Sequence, residues 1–124
     1  MNYFFKYLIF EGGGVKGIAY AGALEVLQER NILQNIERVA GTSAGAIVAI
    51  LVGLGYKPNE IKDIVWSLNF KNFMDNSWGI ARDSRRLIKE FGWYKGDFFR
   101  EFIGNLIEKK TGNSNATFAD VQAM

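Results

Sequence analysis

The chain has 124 residues, among them 14 Gly and a single Pro, and it contains neither Cys nor His. Without those two residue types there can be no Ser-His-Asp triad, imidazole base, thiolate nucleophile, disulfide or ordinary structural zinc site. Fifteen basic and thirteen acidic residues give a net charge of +2, which is too small to indicate a nucleic-acid partner. Nucleophilic chemistry would therefore have to use Ser, Thr, Lys, Asp or Glu.

The first predicted element is an apolar segment at residues 4–10, broken only by Lys6, which indicates a buried strand. A glycine-rich loop at residues 12–17 separates it from residues 18–30, where apolar side chains recur with helical periodicity. The inner stripe expected for this helix consists of Ile18, Gly22, Ala23, Leu24, Val26 and Leu27. Asn31 is its predicted C-cap.

A second short strand is predicted at residues 36–40, and it runs directly into the sequence G-T-S-A-G at residues 41–45. Residues 46–54 are apolar on nearly every side and predict a buried helix that ends at Gly55. Pro58 fits the first turn of the next helix. The inner face of that helix is predicted to hold Ile61, Ile64, Val65 and Leu68.

The rest of the chain is mostly helical in pattern, although residues 69–96 mix short apolar pairs with polar residues and predict no clear element. Residues 98–110 predict an amphipathic helix, and Thr117 with Asp120 predict a capping box at the start of another. The longest apolar stretch, residues 46–55, is too short for a spanning helix, which needs about 20 residues. The N-terminus lacks a signal-peptide pattern, so we expect a protein that is cytoplasmic or peripheral at membranes.

Strand, helix, strand and helix in this order predict an α/β fold with parallel strands and right-handed crossovers. Two strands are too few for a stable sheet flanked by helices. We therefore expect residues 1–124 to form a single incomplete domain, with its helical region at residues 58–111, and further strands to follow residue 124.

The loop G-G-G-V-K-G at residues 12–17 presents backbone N–H groups at a helix N-terminus, which suits a phosphate or a transient oxyanion. Taken alone, it also fits the dinucleotide fingerprint G-x-G-x-x-G. That fingerprint requires an acid at the end of the second strand, whereas Glu37 stands at its start. A P-loop is excluded because Lys16 precedes Gly rather than Ser or Thr. A tight turn without a ligand is a further alternative.

The second loop, G-T-S-A-G, matches the nucleophile elbow G-x-S-x-G. The turn from strand to helix is so sharp that the residues two before and two after the nucleophile must be small. Ser43 is therefore expected to have a strained backbone and an exposed Oγ, at a helix N-terminus that favours developing negative charge. The alternative is that Thr42 or Ser43 is simply an N-cap.

Together the two motifs resemble those of the patatin-like phospholipase family, in which G-G-G-x-[KR]-G follows the first strand and G-x-S-x-G the second. The resemblance continues through residues 18–24 and 54–56 and covers essentially the whole chain. It implies a three-layer α/β/α fold with a central, mainly parallel sheet, of which this chain is the N-terminal portion. It also implies a lipid acyl hydrolase that uses a Ser-Asp dyad and an acyl-enzyme intermediate, with no cofactor or metal and possible contact with a membrane surface.

The resemblance assigns the nucleophile to Ser43. The backbone N–H groups that it assigns to the oxyanion hole are those of Gly12, Gly13 and Gly14. The remaining motif positions are Lys16, Gly17, Gly41 and Gly45. Of these, Lys16 matches a basic family position and either supports the loop or faces a lipid headgroup.

The chain departs from the family pattern in one respect, because the dyad aspartate belongs to an Asp-Gly motif and no Asp-Gly pair occurs here. We therefore expect the aspartate beyond residue 124. Two alternatives stay open. The chain could be a nucleotide-binding module that uses Gly12, Gly14 and Gly17. It could also be a catalytically inactive module whose aromatic residues face lipid, namely Phe70, Phe73, Trp78, Trp93 and Tyr94.

Overall fold

In a computed structural model, residues 4–68 and 96–124 are described. Strand β1 spans Tyr7–Phe10 and strand β2 spans Arg38–Gly41. The two strands pair in parallel, with Tyr7 opposite Arg38 and Phe10 opposite Gly41. The predicted α/β arrangement is confirmed, although each strand is shorter or shifted relative to its predicted bounds.

The helices follow the predicted order. In the described part of the chain they are α1 (Ala19–Glu29), α2 (Ala44–Gly53), α3 (Pro58–Ser67), α4 (Asp97–Thr111) and α5 (Phe118–Gln122), with short 3-10 turns at Gly14–Ile18 and Leu33–Asn35. Asn31 and Gly55 have positive φ angles just past the ends of α1 and α2, as their predicted roles require. The unclear segment lies almost wholly outside the described residues, as do the five aromatic residues of the lipid-facing alternative.

The prediction for the inner face of α1 is correct only in part, since Ile18 and Leu27 pack against the core as expected and three other residues do not. Gly22, Ala23 and Val26 are exposed, whereas Ala21 and Leu24 are buried. At about 100° per residue, Gly22 and Val26 each lie two positions from Leu24 and so point to the opposite side of the helix, whereas Ala21, three positions away, shares its face.

Helix α2 lies at the centre of the core, as its apolar sequence predicts. Val48 and Leu51 of α2 are almost completely buried, together with Leu24 of α1 and Ile61 of α3. Phe10 of β1 joins the same cluster. Because α2 is covered on nearly every side, its N-terminal end is held firmly beside the end of β2.

Helices cover only one face of the sheet in residues 4–68 and 96–124. Phe10 is buried and Leu8 and Val39 pack against the core, whereas Tyr7 is 63% exposed and Ile9 is 76% exposed on the opposite face. Parallel sheets are normally covered on both faces. The described residues therefore form two of the three layers expected for this fold.

Helix α4 is attached to the turn between α2 and α3. The Tyr56 hydroxyl donates a hydrogen bond to the carbonyl of Leu106 over 2.8 Å, and Lys110 lies 3.1 Å from a Glu60 carboxylate oxygen and 4.2 Å from the centre of the Tyr56 ring. Burial, followed by the charge of Glu60, raises the pKa of Tyr56. The N–H of Lys57 and then the Lys110 ammonium lower the pKa of Glu60.

Helix α5 begins with the predicted capping box. The Asp120 N–H donates to the Thr117 hydroxyl, and the Thr117 N–H donates to the Asp120 carboxylate over 2.7 Å. That backbone bond, followed by the one from the Thr117 hydroxyl, lowers the pKa of Asp120. No helix among the described residues is long and apolar enough to cross a membrane.

Candidate active site

The strand-to-helix turn after β2 places Ser43 in an unusual backbone conformation. Its φ is 51° and its ψ is −127°, a region that residues with side chains rarely occupy. Ser43 is exposed and stands at the N-cap position of α2, but its side chain makes no capping hydrogen bond. The side-chain N-cap interpretation therefore does not account for this serine.

The two glycines of the elbow sit where no side chain fits. A Cβ on Gly41 would lie 2.2 Å from the carbonyl oxygen of Gly45, and a Cβ on Gly45 would lie 2.4 Å from that of Phe10. Both distances are far below van der Waals contact. The steric reason for small residues at these positions is therefore present in the geometry, and it involves backbone atoms that cannot move aside.

The glycine-rich loop packs directly against this turn. A Cβ on Gly12 would lie 3.1 Å from the Cβ of Ser43, and a Cβ on Gly17 would lie 3.1 Å from that of Ala44. The glycine-rich loop and the G-T-S-A-G turn thus meet at the carboxyl ends of β1 and β2, where open α/β sheets place their sites.

Thr42 connects the loop, the strand and the helix. Its N–H donates to the carbonyl of Phe10 over 3.1 Å, and its own carbonyl accepts from the N–H of Gly45 over 2.9 Å. Its hydroxyl accepts a hydrogen bond from the N–H of Gly12 over 3.0 Å. The sequence indicates Thr42 only as a possible N-cap, since a threonine within G-x-S-x-G carries no signal of its contact with Gly12.

A tyrosine supports the start of the glycine-rich loop. The Tyr20 hydroxyl donates to the carbonyl of Glu11 over 2.8 Å, and its ring meets that of Phe10 edge-on with centroids 5.1 Å apart. This contact was also missed, because Tyr20 lies on α1 and its position in the sequence gives no sign of the loop it supports.

The amides of the loop differ in their partners. The N–H of Gly12 is taken by Thr42, whereas the N–H groups of Gly13 and Gly14 have no acceptor among residues 4–68 and 96–124. The carbonyl of Gly13 accepts from Lys16 over 3.1 Å, which closes the following turn. The Lys16 side chain is exposed on that turn. Two backbone donors of the glycine-rich loop therefore have no acceptor within the described part of the chain, and of the loop residues it is Gly12 that packs on Ser43.

No hydrogen bond joins Ser43 to an aspartate in the described part of the chain. Asp63 is exposed on α3, Asp97 begins α4, and Asp120 is held by its capping box. The same residues contain no group of three acidic side chains that could hold a metal ion. The described site thus supplies a serine, backbone donors and a helix N-terminus, but no general base.

Other candidate features lie at the opposite end of the sheet. Glu37 precedes β2 and pairs with Lys6, and the strand, at about 3.3 Å per residue, separates it from the glycine-rich loop. The acid of the dinucleotide alternative is therefore out of reach. A groove of about 410 Å³ also lies at that end, lined by residues that include Leu33, Val52 and Pro58. It is distinct from the surface around Ser43.

An α/β fold with a glycine-rich loop packed against a strained strand-to-helix serine defines the class of protein. A family model described as patatin-like phospholipase matches residues 8–122. The chain belongs to the patatin-like phospholipase family.

Proteins similar to this chain include two from bacteria and one from a virus. YqhO of Bacillus subtilis (strain 168) is 38% identical over 106 residues, which cover 82% of this chain and 36% of that protein. R571 of Acanthamoeba polyphaga mimivirus is 30% identical over 118 residues, covering 94% of this chain and 39% of that protein. A cUMP-AMP-activated phospholipase of Escherichia coli is 36% identical over 59 residues, which cover 45% of this chain and 18% of that protein. The chain spans less than two-fifths of the length of each relative.

One solved structure also shares the fold. It is the complex of full-length ExoU with SpcU from the type III secretion system of Pseudomonas aeruginosa, with a TM-score of 0.61 and 21% sequence identity. The match covers 98% of this chain and 25% of the other chain. The predicted patatin-like α/β fold is confirmed by this likeness.

Proposed function

We propose that the domain to which this chain contributes hydrolyses lipid acyl esters, with Ser43 as the nucleophile. The observation that carries the proposal is the backbone of Ser43, whose φ of 51° and ψ of −127° hold the side chain out of the turn at the N-terminus of α2. Strain of this kind costs about 1–3 kcal/mol and persists where the surrounding structure enforces it. Family membership favours lipid as the substrate class.

In the proposed reaction the Ser43 Oγ attacks the ester carbonyl, and its proton passes to a base. The carbonyl oxygen becomes an oxyanion that accepts hydrogen bonds from amides of the glycine-rich loop, while the N-terminus of α2 favours the negative charge. The alcohol leaves, an acyl-enzyme remains on Ser43, and water releases the fatty acid. The proposed base is an aspartate outside these 124 residues, because no Asp-Gly pair occurs in them.

A chimera tests this function without requiring the base in the chain itself. Residues 1–124 would replace the matching N-terminal part of YqhO, so that the relative supplies the rest of the domain. We expect the chimera to release fatty acid from phosphatidylcholine vesicles and Ser43→Ala to abolish the release. A chimera with Ser67→Ala, which changes an exposed serine on α3, should keep it. Equal activity in the Ser43→Ala and parent chimeras would contradict the proposal.

The nucleotide-binding alternative is tested separately. Isothermal titration of the chain with NAD and FAD should show no binding, since the acid expected by that fingerprint pairs with Lys6 away from the loop. Micromolar binding that survives Ser43→Ala would favour the alternative over the hydrolase.

A further inference from the structure

The contact between Thr42 and Gly12 is unexpected for a loop that is assigned to an oxyanion hole. An N–H that already donates to a side chain is not available to a developing negative charge unless that bond breaks first. In this structure the donor is the Gly12 amide and the acceptor is the Thr42 hydroxyl, 3.0 Å apart. The first of the three glycine amides therefore has a structural partner, and the next two have none in the part of the chain that the structure describes.

Thr42 itself is fixed on both sides. Its N–H extends the pairing of the strands by bonding to Phe10, and its carbonyl accepts from Gly45 in the first turn of α2. The hydroxyl thus links the glycine-rich loop to a part of the backbone that cannot shift without disturbing β1 and α2. Because Thr42 directly precedes Ser43 in the chain, its hydrogen bond to Gly12 ties the loop backbone to the residue beside the proposed nucleophile.

Gly12 packs closely on Ser43, so the separation between the glycine-rich loop and the serine bears on how the site would work. A Cβ on Gly12 would come within 3.1 Å of the Ser43 Cβ, so the loop backbone passes directly beside the serine side chain. Oxyanion donors must stand about 2.7–3.1 Å from the position of the developing charge. Because that range spans only a few tenths of an ångström, donors supplied by the amides that follow Gly12 would require the loop to be held in place.

We propose that Thr42 is a positioning residue, whose hydroxyl holds the Gly12 amide against the elbow and leaves the Gly13 and Gly14 amides as the oxyanion donors. This inference rests on the proposed function, because it assigns parts of the same site. It predicts that the hydroxyl matters and the methyl group does not. Thr42→Ser should therefore still hold the Gly12 amide in place. Thr42→Val, which keeps the shape of the side chain but removes the hydroxyl, should release it.

The first test needs no activity. Amide hydrogen exchange, read by NMR on the whole chain, should be about 3- to 10-fold faster at Gly12 in Thr42→Val than in the parent, as loss of one neutral hydrogen bond allows. Thr42→Ser should match the parent. Thr111→Val, which removes a hydroxyl bonded at the end of α4, should leave Gly12 unchanged. Unchanged exchange in Thr42→Val would overturn the proposal.

The second test measures, in the YqhO chimera that supplies the rest of the domain, the rate at which a fluorophosphonate modifies Ser43. We expect Thr42→Val to lower the maximal rate about 3- to 10-fold with little change in the half-saturating probe concentration, because the donors act on the transition state. Thr42→Ser should restore the rate, and Thr111→Val should not alter it. Faster labelling in Thr42→Val would mean that the freed Gly12 amide is itself an oxyanion donor. An unchanged rate would mean that the Thr42 hydroxyl does not position the loop. Either result would overturn the proposal.

The two tests separate this inference from the proposed function. If the parent and Ser43→Ala label equally, Ser43 is not the nucleophile and the proposed function fails. The exchange measurement still decides in that case whether Thr42 holds the loop.

Discussion

The strained backbone of Ser43 predicts an unusual order of stability between two variants that both lack the hydroxyl. Ser43 is exposed, and its hydroxyl has no hydrogen-bond partner among residues 4–68 and 96–124, so removing it leaves no buried group unpaired. Ser43→Ala keeps a Cβ at φ 51° and ψ −127°, whereas Ser43→Gly removes it. Relief of about 1–3 kcal/mol of strain, less about 0.4–1 kcal/mol for the greater freedom of unfolded glycine, leaves Ser43→Gly more stable by about 1.3 kcal/mol at the midpoints of the two ranges.

Urea unfolding followed by circular dichroism measures this difference, provided that the slope with urea is the same in both variants. Ser67 gives the matched control, because it is exposed in the last turn of α3. There Ala should be more stable than Gly by about 0.5–1 kcal/mol, the opposite order. If Ser43→Ala is as stable as Ser43→Gly or more so, the backbone at Ser43 is not strained and the reasoning fails.

Three further predictions concern packing and charge. Gly45→Ala should lower the free energy of unfolding in urea by at least about 1–3 kcal/mol, because the new Cβ would lie 2.4 Å from the carbonyl oxygen of Phe10. Gly22→Ala, in open space on α1, should be neutral or stabilising, and equal effects of the two substitutions would contradict this. Tyr56→Phe should lower the free energy of unfolding by about 1 kcal/mol through loss of its hydrogen bond to α4, and an unchanged midpoint would refute that contact. The pKa of Glu60 is lowered in the fold, so the stabilisation that its carboxylate gives is present above the unfolded pKa, about 4.3, and is lost as the pH falls. Glu60→Gln should therefore lose less stability than the parent between roughly pH 5 and 3. The same loss of stability in both proteins over that range would contradict the lowered pKa.

The order of the elements could be predicted from the sequence because the signals were local. Pro58 occupies the first position of α3, and Thr117 with Asp120 caps α5, as the residue types alone indicate. The full inner face of α1 could not be predicted from residue types, since Ala21 is buried and Ala23 is exposed although the two residues are identical.

The candidate site was predictable only in part, for a related reason. Spacing of small residues indicated a sharp turn at Ser43, and the clashes that Gly41 and Gly45 avoid are with backbone atoms of that turn. The contact between Thr42 and Gly12 joins residues 30 positions apart and depends on the pairing of β1 with β2. No property of a threonine in isolation reveals such a partner.

The central claim is that Ser43 is a nucleophile, and the most direct measurement is to locate a covalent label. The chimera of residues 1–124 with the rest of YqhO would be treated with a fluorophosphonate probe, digested, and sequenced by tandem mass spectrometry. We predict that the probe mass lies on Ser43, that the Ser43→Ala protein is not labelled, and that Ser67→Ala is labelled like the parent. A label on another residue, or labelling that survives Ser43→Ala, would contradict the claim.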